Sequence, residues 1–368
     1  MENSALNLAK IIVEHSLQIK QGDKFLIDAS DFTAEPLIRE VYRRALQLGA
    51  HVYLDIMGMS YANLRADQGG YIQDFLRLAS KEQLSFPQDI LKYKIDWADK
   101  FFRIVSIHDP KFLSNIDQEQ IITWQKNYYP ELKNMIKKPW LLTYFPTIGM
   151  ANAAGMTLDE FMEFYYQACT IDYKDLARSI YNLQNILDNG REVHICGKGI
   201  DLHLGVEGRL AQGTDCGKHN IPDGECFIAP IENMTNGYVD FEYPQIYQGT
   251  EVEGIHLAFE NGRVVDVSAE KNQVYLDLLL NSHPGNKILG EFGIGMNRNI
   301  RKYIKQIIFD EKIYGTVHFA LGSSYEDQRG GGKNVGNIHW DLIKDLRHAG
   351  SFIRVDGKDI FRDGEIIL

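Results

Sequence analysis

Lys24-Phe25-Leu26-Ile27-Asp28 and His51-Val52-Tyr53-Leu54-Asp55-Ile56 bracket a stretch, residues 34–48, with helical apolar spacing that Gly49 ends. Both flanking runs are short and rich in β-branched or aromatic residues, which predicts strands. A strand, a helix and a second strand in this order form a β-α-β unit. Such a unit requires a parallel pair joined by a right-handed crossover. The first half of the chain is therefore predicted to be α/β with parallel strands.

The pattern extends in both directions. Upstream, residues 4–19 carry helical apolar spacing anchored by Leu6, Ile11, Ile12 and Leu17, and Gly22 stops it. Downstream, strands are predicted over 101–107 and 140–145, with helical segments between them. Two more helices follow near 157–169 and 173–189, the second ended by Gly190. The pattern then changes. Predicted strands 192–196 and 200–204 flank Gly197-Lys198-Gly199, a hairpin signature, and Gly, Asp and Asn punctuate short strands to the end. This leads to two domains: an α/β N-terminal domain over 1–187, and a β-rich α+β C-terminal domain over 188–368. The length of 368 residues fits two domains at ~150 residues each.

Composition narrows the class. The chain is 44% hydrophobic and 24% charged, which excludes disordered and fibrous proteins. Its 39 basic and 50 acidic residues give a net charge of −11. An acidic surface repels phosphate backbones and favours cationic ligands, so nucleic acid is not an expected partner. No signal peptide and no membrane span are predicted. Cys169, Cys196, Cys216 and Cys226 show no Cys-x-x-Cys spacing. They read as reduced thiols, and the expected compartment is the cytoplasm.

Two glycine-rich stretches fail as nucleotide motifs. Gly293-Ile294-Gly295-Met296-Asn297-Arg298 lacks the third glycine of the dinucleotide fingerprint and does not open the first β-α-β unit. Gly330-Gly331-Gly332-Lys333-Asn334 lacks the Ser or Thr of a phosphate loop.

The residues that carry chemistry lie between 225 and 341. In Ile338-His339-Trp340-Asp341, strand periodicity sets His339 and Asp341 on one face and Trp340 on the other. An imidazole beside a carboxylate suits a borderline divalent metal, and also a hydrogen-bonded pair closing an edge strand. His318 sits inside the apolar run Thr316-Val317-His318-Phe319-Ala320-Leu321, either as a core histidine or as a ligand. Glu291, in Leu289-Gly290-Glu291-Phe292-Gly293, is a carboxylate among apolar residues and glycines, where acids are rare unless paired or metal-bound. Pro222-Asp223-Gly224 is a turn that delivers Glu225 onto the apolar run Cys226-Phe227-Ile228. Tyr325 lies in a loop beside Glu326 and Asp327, where a tyrosine usually marks only surface. Two histidines and three carboxylates from separated segments form the ligand inventory of a two-metal hydrolase.

These segments resemble the thermophilic-type metallo-aminopeptidases, family M29, also called the aminopeptidase T or aminopeptidase S family. The matching stretches are Pro222-Asp223-Gly224-Glu225 to Pro230, Leu289-Gly290-Glu291 to Asn297, Glu311-Lys312-Ile313-Tyr314-Gly315-Thr316-Val317-His318 to Gly322, and Ile338-His339-Trp340-Asp341. Pro146-Thr147-Ile148-Gly149-Met150-Ala151 with Gly155-Met156-Thr157 fits in the first half, and so does the closing pair Asp356-Gly357 and Asp363-Gly364. The resemblance implies Glu225, Glu291, His318, His339 and Asp341 as ligands of two divalent metal ions. Zinc is expected first, with cobalt or magnesium as alternatives, and Glu291 as the bridging carboxylate. It implies Tyr325 as a catalytic tyrosine, seven residues after the first ligand histidine, and a catalytic share for Glu225. It also implies peptide substrates with a free N-terminus and a homodimer. Glu311 is a candidate to orient His318, or to pair with Lys312. The other reading is a relative that binds peptides or amides with different specificity or without turnover. The chain departs from the family pattern in two places, at Gly336-Asn337 before Ile338 and at Cys226 after Glu225, and both bear on substrate preference.

Overall fold

The structure is a computed structural model and describes residues 2–56, 70–113, 115–213, 216–324 and 330–367. The chain divides into two compact units, Met1–Ile171 with Gly217–Pro222, and Asp172–Cys216 with Asp223–Leu368.

The first unit is α/β, as the opening β-α-β reading requires. Strands Lys24–Ala29 and His51–Ile56 pair in parallel from Lys24↔His51 to Ala29↔Ile56, with the helix Glu35–Gln47 between them in sequence. Lys100–Ser106 joins the other edge of Lys24–Ala29, Trp140–Phe145 joins Lys100–Ser106, and the short strand Asn220–Ile221 closes the sheet. All four pairings are parallel. Parallel sheets are covered on both faces, which matches the near-continuous burial of Phe25, Leu26, Ile27, Phe101, Phe102, Ile104 and Val105. Within this sheet Asp28 and Arg103 are direct cross-strand partners, joined at 2.9 Å and buried. The pairing compensates a charge that apolar surroundings would otherwise exclude. The N-terminal helical stretch is an α-helix over Glu2–Lys10 that continues as a π-helical turn over Ile11–Ser16.

The second unit is antiparallel and β-rich. The helix Tyr173–Asp188, which precedes the boundary expected at 187/188, packs here. Its buried face carries Ile180, Leu183 and Leu187, and Asp188 accepts the backbone N–H of Ala211. The expected hairpin forms from Glu192–Gly197 and Ile200–Gly205, and these strands lie at the centre of an eight-stranded sheet. A second sheet has four antiparallel strands, in the spatial order His339–Asp345, Thr316–Gly322, Leu289–Gly295, Glu225–Ile228. One face of it is apolar. Phe292 and Phe319 stack there at 5.6 Å, and Phe319 meets Phe241 of the larger sheet edge-on at 6.3 Å. The opposite face is free to carry chemistry. The four cysteines are unbridged. Among the described residues no helix is long and apolar enough to cross a membrane.

Candidate metal centre

Because strand side chains alternate, the register of the four-stranded sheet decides which residues share its second face. Glu291 pairs with Ala320, and Ala320 with Asp341. Gly293 pairs with His318, Gly295 with Glu225, and Gly322 with His339. The residues Glu225, Glu291, His318, His339 and Asp341 thus project from one face of four adjacent strands. Of the small residues between them, Gly293 gives way to the His318 ring, while Gly295 and Gly322 let the backbone carbonyls of Ile313 and Ile338 approach closely.

The donor atoms converge. His318 Nε2 lies 3.1 Å from Glu291 Oε1 and 3.3 Å from Glu225 Oε2. His339 Nε2 lies 3.5 Å from Asp341 Oδ1 and 3.9 Å from Glu291 Oε2. Two donor triads result, Glu225–Glu291–His318 and Glu291–His339–Asp341, each with its ligand atoms within 4.8 Å of one another. Glu291 belongs to both, one oxygen facing each histidine. Glu225 Oε2, Glu291 Oε2 and Asp341 Oδ1 are buried and accept no well-formed hydrogen bond from the described residues. Buried carboxylate oxygens in that state are costly unless a cation meets them. Mixed imidazole and carboxylate donors suit zinc and neighbouring divalent ions, so the residues fit the two metals expected of them.

Surrounding groups set the orientation of these donors. His339 Nδ1 donates to the Ser323 carbonyl at 2.8 Å, which leaves Nε2 for the cluster. This is the usual way in which a ligand imidazole is held in one tautomer. Glu225 follows a turn in which Asp223 Oδ1 accepts the Gly224 N–H at 2.7 Å. Lys312, fully buried, donates to Glu225 Oε1 at 2.9 Å and also to Glu311. Its cation occupies one oxygen of Glu225 and leaves the other turned toward His318. Glu311 therefore serves Lys312, and the alternative of orienting His318 is not what forms, because His318 Nδ1 is buried with no hydrogen-bond partner among the described residues.

Burial lowers the pKa of His318, but its hydrogen bond to Glu291 and the charge of Glu225 outweigh this and raise it to about 9. Burial acts likewise on His339, and Asp341 with Glu291 raise it to about 10. Burial pushes Asp341 up, yet His339 beside it wins and brings it down to about 2. Burial raises Glu225, with Lys312 opposing, and takes Glu311 up to about 8 against the same lysine. Without metal, both histidines thus hold a proton at neutral pH, whereas a ligand imidazole must be neutral. Metal binding should release up to two protons per chain at pH 7, and affinity should rise as pH climbs toward 9. Titration calorimetry in buffers of different ionisation enthalpy measures this directly. A binding enthalpy that does not vary with buffer counts against it. The same raised values stabilise the metal-free fold fully below pH ~6.5, and that stability is lost as pH rises through about 9 and 10.

Gly293 supplies the space for the His318 ring. A Cβ added there would collide with Nε2 and Cε1 of that ring. His318 is completely buried and has no outward path. The Gly293→Ala protein should fold but bind zinc on the order of tenfold or more weakly, as when other supports of a ligand histidine are removed. Zinc titration with circular dichroism as the folding control checks it, and unchanged affinity would remove the assigned role of Gly293.

A family model described as thermophilic metalloprotease (M29) matches residues 1–366. The chain belongs to the M29 family. Among curated relatives, Aminopeptidase T of Thermus thermophilus is 27% identical over 388 residues, covering 90% of this chain and 90% of that protein. Aminopeptidase 2 of Geobacillus stearothermophilus is 25% identical over 411 residues, covering 97% and 96%. Among solved structures, wild-type AmpT from Thermus thermophilus shares the fold with a TM-score of 0.82 at 23% identity, covering 100% of this chain and 99% of that chain. The parallel α/β unit and the antiparallel β-rich unit are thus the M29 architecture.

The five residues expected as ligands in this M29 chain come together on one sheet face. Tyr325 lies outside the described residues. In the sequence Lys312 stands only as a possible partner of Glu311, and its bond to Glu225 is not expected there. The only signal was its setting between Ile307-Ile308-Phe309 and Ile313-Tyr314.

Proposed function

We propose that this chain is a metal-dependent aminopeptidase that releases the N-terminal residue of peptides, with Glu225, Glu291, His318, His339 and Asp341 holding two divalent ions. Zinc is the first expectation, and cobalt or magnesium the alternatives. The observation that carries this reading is the sharing of Glu291 by two donor triads, in a chain whose M29 relatives are named aminopeptidases. Divalent ions held this way supply Lewis acidity toward the scissile carbonyl and make hydroxide available from water near neutral pH. The chain does the rest. Glu291 spans the two triads, and His339 presents Nε2 because its Nδ1–H is committed to Ser323. Lys312 pins one oxygen of Glu225 and offsets part of the negative charge concentrated by the carboxylates. Glu225 shares in catalysis by presenting its second oxygen beside His318. Tyr325 donates a hydrogen bond to the oxyanion that develops on the substrate. An acidic cluster also attracts a free α-amine. The same reading carries a homodimer acting in the cytoplasm.

The test is a panel of short peptides, each with a free and an acetylated N-terminus, run with and without chelator. Cleavage should need the free amine, stop with chelator and return with zinc or cobalt. Equal cleavage of acetylated peptides, or indifference to chelator, would remove the proposal. Ion binding without cleavage of any peptide would favour a non-catalytic binding relative.

A further inference from the structure

A second cluster of metal-type donors lies on the eight-stranded sheet and shares no residue with the centre above. In the hairpin Glu192–Gly197 and Ile200–Gly205, His194 is directly opposite His203, and Cys196 opposite Asp201. Val193, Ile195, Leu202 and Leu204 point the other way into the core and are completely buried. Strand alternation therefore sets His194, Cys196, Asp201 and His203 as a square on the outer face. The turn Gly197-Lys198-Gly199, with Gly199 at φ 67°, closes the hairpin and locks that register.

The donor atoms within the square lie close to one another. His194 Nε2 lies 2.8 Å from Asp201 Oδ1, and His203 Nε2 lies 4.0 Å from the same oxygen. One donor atom from each of the three falls within 4.8 Å of the others. Bonds of about 2.0–2.2 Å to a tetrahedral ion set neighbouring donors roughly 3.3 Å apart, between those two separations. Glu192 accepts a hydrogen bond from His203 Nδ1 at 2.9 Å. That contact fixes the ring so that its Nε2 lone pair faces Asp201, the carboxylate–histidine arrangement that supports metal ligands. The imidazoles are stacked with centroids 3.9 Å apart and 14° between planes, so their lone pairs run side by side and the rings rotate out of the stack when they converge on one ion. Arg354 is the cation facing this row, opposite His194. It is tied back to Asp359 at 2.6 Å and lies over the Phe352 ring.

We propose that His194, Asp201 and His203 form a solvent-facing site for one borderline divalent ion of the zinc, cobalt or nickel type, with Glu192 orienting His203. The site does not depend on the M29 chemistry. The test compares metal-stripped protein with the His194→Gln, His203→Gln double variant by titration with cobalt and with zinc. Wild type should bind one ion per chain more than the double variant, whatever the number held by the buried centre. Peptide turnover and metal-free thermal midpoint should be the same in both. Glu192→Gln should keep this ion but weaken it ~10–100-fold. Equal stoichiometry in wild type and the double variant would overturn the proposal, as would unchanged affinity in Glu192→Gln for the role of Glu192. The cobalt absorption spectrum of Cys196→Ser then reads whether the thiol completes the set. Because the readout is a difference in bound ions, a failure here leaves the aminopeptidase reading untouched, and the reverse also holds.

Discussion

Glu291→Gln protein should bind fewer than two divalent ions per chain after dialysis and lose on the order of 10³-fold or more in peptide turnover. Glu291 is the one residue common to both donor triads, with one oxygen 3.1 Å from His318 and the other 3.9 Å from His339. Glutamine has nearly the same shape, so the packing around a residue 3% exposed is preserved. It replaces one donor oxygen with an amide NH₂ that offers no lone pair to a metal, and it removes one negative charge. Metal polarisation and water activation contribute several kcal/mol to such reactions. Losing about 4 kcal/mol corresponds to roughly 10³-fold in rate. Elemental analysis of ions per chain beside the rate separates the two losses. A variant that keeps two ions and its full rate would end the bridging role.

Tyr325→Phe protein should do the opposite with its metals, keeping both ions while kcat falls ~10²–10³-fold. A hydroxyl that donates to an oxyanion acts where negative charge develops, so its loss is felt in the transition state and little in substrate binding. KM should therefore stay near its original value while kcat carries the loss. The expectation comes from the M29 pattern, which places a tyrosine seven residues after His318. Loss of an ion in this variant would make Tyr325 a support of the metal site. An unchanged kcat would remove it from the reaction.

The two variants separate metal holding from oxyanion stabilisation, and they differ in how their sites could be found. Tyr325 is reachable only through family spacing, because a tyrosine beside Glu326 and Asp327 carries no physical mark of its own. Glu291 carries such a mark, being an acid inside an apolar, glycine-punctuated run. His339 and Asp341 could be placed on one face from the strand period alone. Lys312 could not be recognised, because a lysine after a glutamate has the look of a solvated pair wherever it occurs. Only its complete burial against Glu225 and Glu311 gives it a role.

Local order thus determined a good deal by itself. Apolar periodicity, glycine stops and turn residues depend on neighbours within a few positions. They were enough to set the parallel α/β first half, the hairpin at 197–199 and the alternation that pairs His339 with Asp341. The helix Tyr173–Asp188 was legible as a helix. Its place with the second unit was not, because a buried helical face does not name the surface that covers it. Tertiary structure alone decided the register of four strands drawn from residues 225 to 345, and with it the convergence on Glu291. Register is a long-range property. Each strand permits either face to turn inward, and the pairing that buries Phe292 and Phe319 on one side is what turns Glu225, Glu291, His318, His339 and Asp341 together on the other.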